Sequence, residues 1–119
     1  MLARIDVPSL AMHVLFICTR NRLRSPTAEQ VFADRDGIET RSAGLARDAD
    51  TPVSPELLAW ADVVFVMEKV HRTRLTQKFR PHLGGRRVIC LDIPDDYDYM
   101  DPELVRLLNA KVPRFLRTD

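Results

Sequence analysis

Val14-Leu15-Phe16-Ile17-Cys18-Thr19-Arg20-Asn21-Arg22-Leu23-Arg24-Ser25-Pro26-Thr27-Ala28-Glu29 is the stretch from which the rest of the chain is read. Its four leading residues are apolar, as in a strand buried on both faces of a parallel sheet. Pro26, Thr27, Ala28 and Glu29 open a helix, and proline is at home in a helix's first turn. A buried strand therefore runs through an eight-residue loop, Cys18 to Ser25, into a helix N-terminus.

The unpartnered backbone N–H groups at a helix N-terminus point outward and carry partial positive charge. Such a place binds phosphate-like anions, and consecutive amides curled around an oxyanion form a nest. The loop Thr19, Arg20, Asn21, Arg22, Leu23, Arg24 and Ser25 is thus the expected phosphate cradle. Arg24 adds a planar fork that fits two phosphate oxygens. Cys18 stands at the floor, where the helix end and the guanidinium both favour a thiolate. A thiolate beneath a phosphoryl group is an in-line nucleophile. Ser25 is placed to donate a hydrogen bond to that sulfur and ease its departure later. Read without its surroundings, Cys18 is an ordinary core cysteine. Its register with Arg24, Ser25 and a helix start argues for the nucleophile.

Outward from the loop, strand and helix signals alternate four times. Met12 to Ile17 is a strand interrupted only by His13, and Thr27 to Asp34 a helix closed by Asp36-Gly37. Ile38 to Ser42 is a short edge strand. Gly44 to Val53 reads as a loop without aromatic residues. Ser54-Pro55-Glu56 starts a helix, with Ser54 as cap and proline first inside. Asp62 to Met67 is a second apolar strand, followed by a basic helix over Lys69 to Phe79, a turn at Pro81, Gly84 and Gly85, and a strand over Arg87 to Leu91. An acidic loop, Asp92 to Met100, leads to a last helix from Asp101-Pro102-Glu103, ended by Pro113. This alternation predicts an α/β fold with a parallel sheet covered by helices on both faces.

The 119 residues suit a single domain over 1–119, with 1–11 as a loose leader. Apolar content of 45% and charged content of 29% are ordinary for a soluble globular chain. A net charge of +1 implies no general attraction to nucleic acid or to an anionic membrane. Neither a membrane span nor a signal-peptide profile is visible, so the expected compartment is the cytoplasm. Histidine–cysteine spacing shows no zinc pattern, no metal is expected, and no cofactor is implied. His13, His71 and His82 read as structural or surface groups, and Cys90 as a core residue.

Cys18-x5-Arg24-Ser25 between strand and helix, with Pro26 and Ala28-Glu29 behind it, resembles the signature of the low-molecular-weight protein tyrosine phosphatases. Arg41-Ser42-Ala43-Gly44, Ala61 to Met67 and Ile93-Pro94-Asp95-Asp96-Tyr97 are similar to three further stretches of that family, in order. Arg20 replaces the family's usual loop glycine, Leu23 its frequent second cysteine, and Asp96 the proline of its Asp-Pro-Tyr segment. The chain is also short, and is most similar to a compact bacterial branch of the family. The resemblance implies a four-stranded sheet in the order 2-1-3-4.

It also implies a cysteine-dependent phosphomonoesterase acting through a phosphocysteine, with a phosphotyrosine protein or small aryl phosphate as substrate. Asp95, aligned with the aspartate of Asp-Pro-Tyr, takes the general acid role. Asp96 is the alternate, and Asp92, Asp98 and Asp101 share the same stretch. Asn21 falls where the family has a loop-holding asparagine; its type tolerates a left-handed backbone and its amide bridges the loop. Ser42 is either its partner or a strand-end hydroxyl. Tyr97 and Tyr99 either wall the substrate pocket or pack on the last helix. Arg20 and Arg22 are loop-surface charges or widen the positive field at the mouth. Two other readings stand beside this one: a thiol-dependent arsenate reductase, for which Cys90 is the one further cysteine, and a non-catalytic phosphate-binding regulatory module.

Overall fold

A computed structural model describes residues 11–116. The leader expected over 1–11 lies, apart from Ala11, outside the described residues. Four strands and four helices alternate: β1 (Met12–Cys18), α1 (Arg24–Phe32), β2 (Ile38–Gly44), α2 (Pro55–Trp60), β3 (Val63–Val66), α3 (Lys69–Leu83), β4 (Arg87–Cys90) and α4 (Pro102–Lys111), with a 3-10 turn at Pro113–Phe115. All strand pairs are parallel and the sheet order is β2-β1-β3-β4, the order that the resemblance implied.

β1 is central because both of its faces are apolar. Val14, Phe16 and Cys18 point to one side, into a cluster with Ala28 and Phe32 of α1 and Leu104 and Leu108 of α4. Leu15 and Ile17 point to the other, against Leu58 of α2, Leu75 of α3 and the β3 valines Val64 and Val66. The period-2 alternation of a strand thus feeds two cores at once. Phe16 ties the first core together, stacking at 5.3 Å on Phe65 and at 5.9 Å on Phe32. A fully buried phenylalanine of this kind contributes up to about 3 kcal/mol of hydrophobic stabilisation.

Element boundaries shift from the sequence expectation where hydrogen bonding extends them. α1 begins at Arg24 rather than Thr27. The Leu23 carbonyl accepts from Thr27 N at 3.1 Å and from Thr27 Oγ1 at 2.7 Å, which draws Arg24 and Ser25 into the first turn. β2 runs on to Gly44, which then pairs with Pro52 in an isolated parallel bridge. α3 continues past Phe79 to Leu83, across a kink where Phe79 takes φ −127° and ψ 21°. The cause is Pro81, which has no N–H to donate and whose ring crowds the preceding turn. Ser54 caps α2 by accepting from Leu57 N at 3.2 Å, and Asp101 caps α4 by accepting from Glu103 N at 2.8 Å. Cys90 departs from its core expectation: it ends the edge strand β4, is only half-buried, and its thiol donates to Asp92 Oδ1 at 3.4 Å.

Among the described residues no helix is long and apolar enough to cross a membrane. None of their His, Cys, Asp and Glu side chains gather into a group of three that could hold a metal ion.

Candidate active site

In an open parallel sheet, ligands bind beyond the strand C-termini, where the chain order reverses. Here that point is the end of β1, between β2 and β3. Cys18 is the last residue of β1, 3% exposed, and the loop that follows curls back into α1.

The loop is pinned from both sides. From the β2 side, Leu45 N, Ala46 N and Asp50 N donate to the carbonyls of Cys18, Thr19 and Arg20 at 3.0, 2.9 and 3.1 Å. With those carbonyls turned outward to 45–50, the loop's own amides are left for the anion. This clamp needs Gly44. A Cβ there would lie 2.7 Å from the Thr19 carbonyl oxygen and 2.9 Å from the Arg20 carbonyl carbon, both of them backbone. Asn21 takes φ 58°, the left-handed conformation that asparagine tolerates better than most residues.

Asn21 Nδ2 donates to Ser25 Oγ at 3.0 Å. Ser25 Oγ stands 3.0 Å from Cys18 Sγ and 3.4 Å from the Ala43 carbonyl. With one lone pair taken by Asn21, the hydroxyl proton is available to the sulfur, the closer of the two acceptors. Ser42 is not the partner of Asn21. Its hydroxyl bonds Glu29 of α1, because Ser42 and Ala43 are successive strand residues and face opposite sides of β2.

Arg24 is 2% exposed, an unusual depth for a guanidinium. Its Nη1 donates to Glu68 Oε2 at 2.5 Å and to the Ile93 carbonyl at 2.8 Å. Those two bonds use both Nη1 protons, so the Nε/Nη2 edge is the one free to fork onto an oxyanion. Asp95 sits on that edge, its Oδ1 3.7 Å from Nε.

Asp95 reaches the loop because the chain beyond β4 keeps following β3. Leu91 N donates to Val66 O at 2.9 Å, Ile93 N donates to Met67 O at 2.8 Å, and Met100 N is tied back to Thr27 Oγ1 at 2.9 Å. A cavity of about 310 Å³ results, with the buried Cys18 and Arg24 at its base, Thr19, Arg20, Arg22 and Leu23 around it, and Asp95 closing it. Asp96 does not line it. Neither do the two tyrosines: Tyr97 packs on the α1/α4 core and Tyr99 is half exposed. Arg20 and Arg22 form surface pairs with Asp48 (2.5 Å) and Asp50 (3.2 Å).

Two residues of the site escaped the sequence reading. Glu68 was not singled out, and His71 stood only among structural or surface histidines. Glu68 N donates to His71 Nδ1 at 3.1 Å, so the proton of the neutral ring is on Nε2, which donates to Thr19 Oγ1 at 3.0 Å. Burial first, and the nearby Arg24 guanidinium second, lower the His71 pKa to about 4, which keeps the ring neutral near pH 7. A signal for both residues was present: Met67-Glu68 follows an apolar strand predicted to lie beside β1, so its end shares the rim with Cys18. His13 and His82 play no part here; His13 stacks on Trp60 at 4.5 Å, and His82 meets Phe79 edge-on.

A family profile described as low molecular weight phosphotyrosine protein phosphatase matches residues 13–59, the stretch that carries the loop and its clamp. A protein-arginine-phosphatase of Bacillus subtilis (strain 168) is 28% identical, over 57% of this chain and 63% of its own length. Among solved structures, the YwlE arginine phosphatase, in a mutant with a phosphorylated active-site serine, superposes with a TM-score of 0.65 at 25% identity, over 89% of this chain and 100% of its own. Wzb of Vibrio vulnificus, in complex with benzylphosphonate, matches the fold with a TM-score of 0.72 at 22% identity, over 87% and 96% of the two chains. In the sequence of its anion loop and in its fold, the chain is similar to the low molecular weight phosphotyrosine protein phosphatases.

Proposed function

We propose that the chain is a cysteine-dependent protein phosphatase acting through a phosphocysteine. One observation carries this reading: Cys18 Sγ lies at the base of an amide-lined loop, 3.0 Å from a serine hydroxyl, with a buried arginine fork and a carboxylate closing the same cavity. A phosphate seated in the loop is held by its amides and by Arg24 Nε and Nη2. Cys18 thiolate attacks phosphorus; the S–P bond forms and the P–O ester bond breaks in line. Asp95, displaced from Nε by the anion, protonates the leaving oxygen. A water then attacks the phosphocysteine, gives its proton to the Asp95 carboxylate, and the S–P bond breaks to return the thiolate, stabilised by Ser25. The preorganised amides and the guanidinium supply the electrostatic stabilisation of the transferring group. A nucleophilic thiolate is kept active in a reducing compartment, which favours the cytoplasm.

For the substrate, phosphotyrosine on protein is the first reading, from the family whose profile matches residues 13–59. Phosphoarginine is the second, favoured by the arginine phosphatase among its relatives and by a cavity in which no aromatic side chain is present to stack on an aryl ring. The arsenate reductase reading is weakened by position. Cys90 pairs with Val66 and Val66 with Ile17, so Cys90 lies two strands from the end of β1, roughly 10 Å by strand spacing and beyond disulfide reach.

The test is hydrolysis of p-nitrophenyl phosphate in EDTA, together with phosphotyrosine and phosphoarginine peptides. Activity that disappears in Cys18→Ser supports the reading, and the better peptide identifies the substrate. Phosphate binding without turnover would instead favour a binding module.

A further inference from the structure

A second and larger concavity, about 700 Å³, adjoins the catalytic one and shares Thr19 and Arg20 with it. The buried Leu45 belongs to its lining, and its charged members are all cationic: Arg20, Arg47, Arg74 and Lys78. Arg74 and Lys78 are four residues apart on α3, and therefore on one face of that helix. Arg47 comes from the segment that clamps the loop. Arg20 is neutralised by Asp48, whereas among the described residues no carboxylate pairs with Arg47, Arg74 or Lys78. Lys78 has only the Phe79 ring, its Nζ 5.9 Å from the centroid. The chain as a whole carries a net charge of +1, so this is a local concentration of charge and not a general basic character.

We propose that this groove seats an acidic segment flanking the phosphorylated side chain of a protein substrate. The inference rests on the phosphatase reading and adds a substrate class to it. A phosphoryl group bound over Cys18 brings the adjoining chain out across Thr19 and Arg20, directly into the groove. Extended chain spans about 3.3 Å per residue, so three or four residues on one side of the phosphorylated one reach Arg74 and Lys78. Carboxylates there meet three unpaired cations; basic residues there meet repulsion, so the groove selects as well as attracts. A folded nucleic acid is a poorer fit to a net charge of +1 and a groove without aromatic stacking platforms.

The experiment compares phosphopeptides that differ only in their flanks (Asp/Glu, Ala/Ser or Lys), on the wild type and on Arg74→Glu/Lys78→Glu. Binding of an unphosphorylated acidic peptide is followed in parallel by fluorescence anisotropy at low and high salt. We expect kcat/KM for acidic flanks to exceed that for neutral flanks by about tenfold, through KM, as exposed charge pairs of modest individual strength allow. The charge reversal should erase that preference, leave p-nitrophenyl phosphate turnover unchanged, and abolish a peptide binding that salt also weakens. Equal rates for all flanks, with no binding of the acidic peptide, would overturn the groove alone. An inert enzyme that still binds acidic peptide through Arg74 and Lys78 would overturn the phosphatase reading and leave the groove standing. An oligonucleotide of equal charge binding more tightly than the peptide would overturn the choice of partner. Arg74→Gln/Lys78→Gln, which introduces no new charge, repeats the test if the reversal impairs folding.

Discussion

At the scale of single residues, the proposed mechanism divides labour between groups that hold and groups that react. Arg24 is held by Glu68 and the Ile93 carbonyl, so its Nε/Nη2 edge is presented without reorganisation when an anion arrives. Asp95 waits on that edge. Asp95→Asn should lower kcat by about a hundredfold for substrates with poor leaving groups, within the usual range for removal of a general acid, and by less for p-nitrophenyl phosphate, whose leaving group needs little protonation. Asp96→Asn should stay within about twofold of wild type, since Asp96 is exposed and does not line the cavity. Equal losses in the two variants would move the acid role. Cys18, Arg24 and Ser25 were legible in the sequence because loop chemistry fixes their type and spacing within a few residues, whereas Asp95, far along the chain, was named only through its resemblance to an Asp-Pro-Tyr segment. Glu68 was not, because its partner Arg24 is 44 residues away and only the folded sheet brings them together. Ser42 was left open between partner of Asn21 and strand-end hydroxyl because its choice of partner depends on which side of β2 it faces, and the fold, not the local sequence, decides that.

Elements matter through how tightly they press on the loop. Gly44 is where β2 and the loop nearly touch, and a methyl group there meets backbone at 2.7 Å. Backbone cannot swing aside as a side chain can, so Gly44→Ala should destabilise by about 2 kcal/mol, as overpacking does, and weaken phosphate binding along with it. Thermal unfolding with and without phosphate would read both effects; an unchanged melting temperature would mean that the clamp yields. α3 contributes through its first turn, where His71 is at once a cap for Glu68 N and a support for Thr19. His71 folds into an environment that lowers its pKa from 6.5 to about 4. Between those values the unfolded chain binds the extra proton and the folded one does not, so stability rises with pH across that window. The contribution is fully present above pH 6.5 and is lost as pH falls toward 4, by roughly 2 kcal/mol after allowance for solvent near the cavity. His71→Gln should flatten that part of the stability profile measured by urea unfolding; an unaltered slope would show that other groups set it. The helix and strand types were readable from periodicity and caps, whereas the start of α1 and the end of α3 were not. One depends on Thr27 bonding back to Leu23, and the other on how far a helix survives Pro81.

For the molecule as a whole, the sheet places its two most buried strands, β1 and β3, in the interior and covers both faces of them. The hydrophobic patterning foretold the parallel sheet and a β1 buried on both faces; the strand order came from the resemblance. The basic groove could not be foreseen, because Arg47 and Arg74 meet only across the fold. The same architecture isolates Cys18 from the other cysteine, two strands away at the sheet edge. Peroxide should therefore carry Cys18 past the sulfenic acid to irreversible products, with no protective intramolecular disulfide. Recovery of activity by a thiol reductant after peroxide, with a Cys18–Cys90 linkage in the peptide map, would contradict that isolation.

The central claim is that Cys18 itself takes the phosphoryl group. A rapid denaturing quench during turnover of p-nitrophenyl phosphate in EDTA, followed by peptide mass mapping, reads it directly. We expect one phosphoryl group on the peptide carrying Cys18, at the sulfur, appearing within the first turnover and absent without substrate. Steady turnover with no phosphorylated Cys18 at any quench time, and with activity retained in Cys18→Ser, would contradict it.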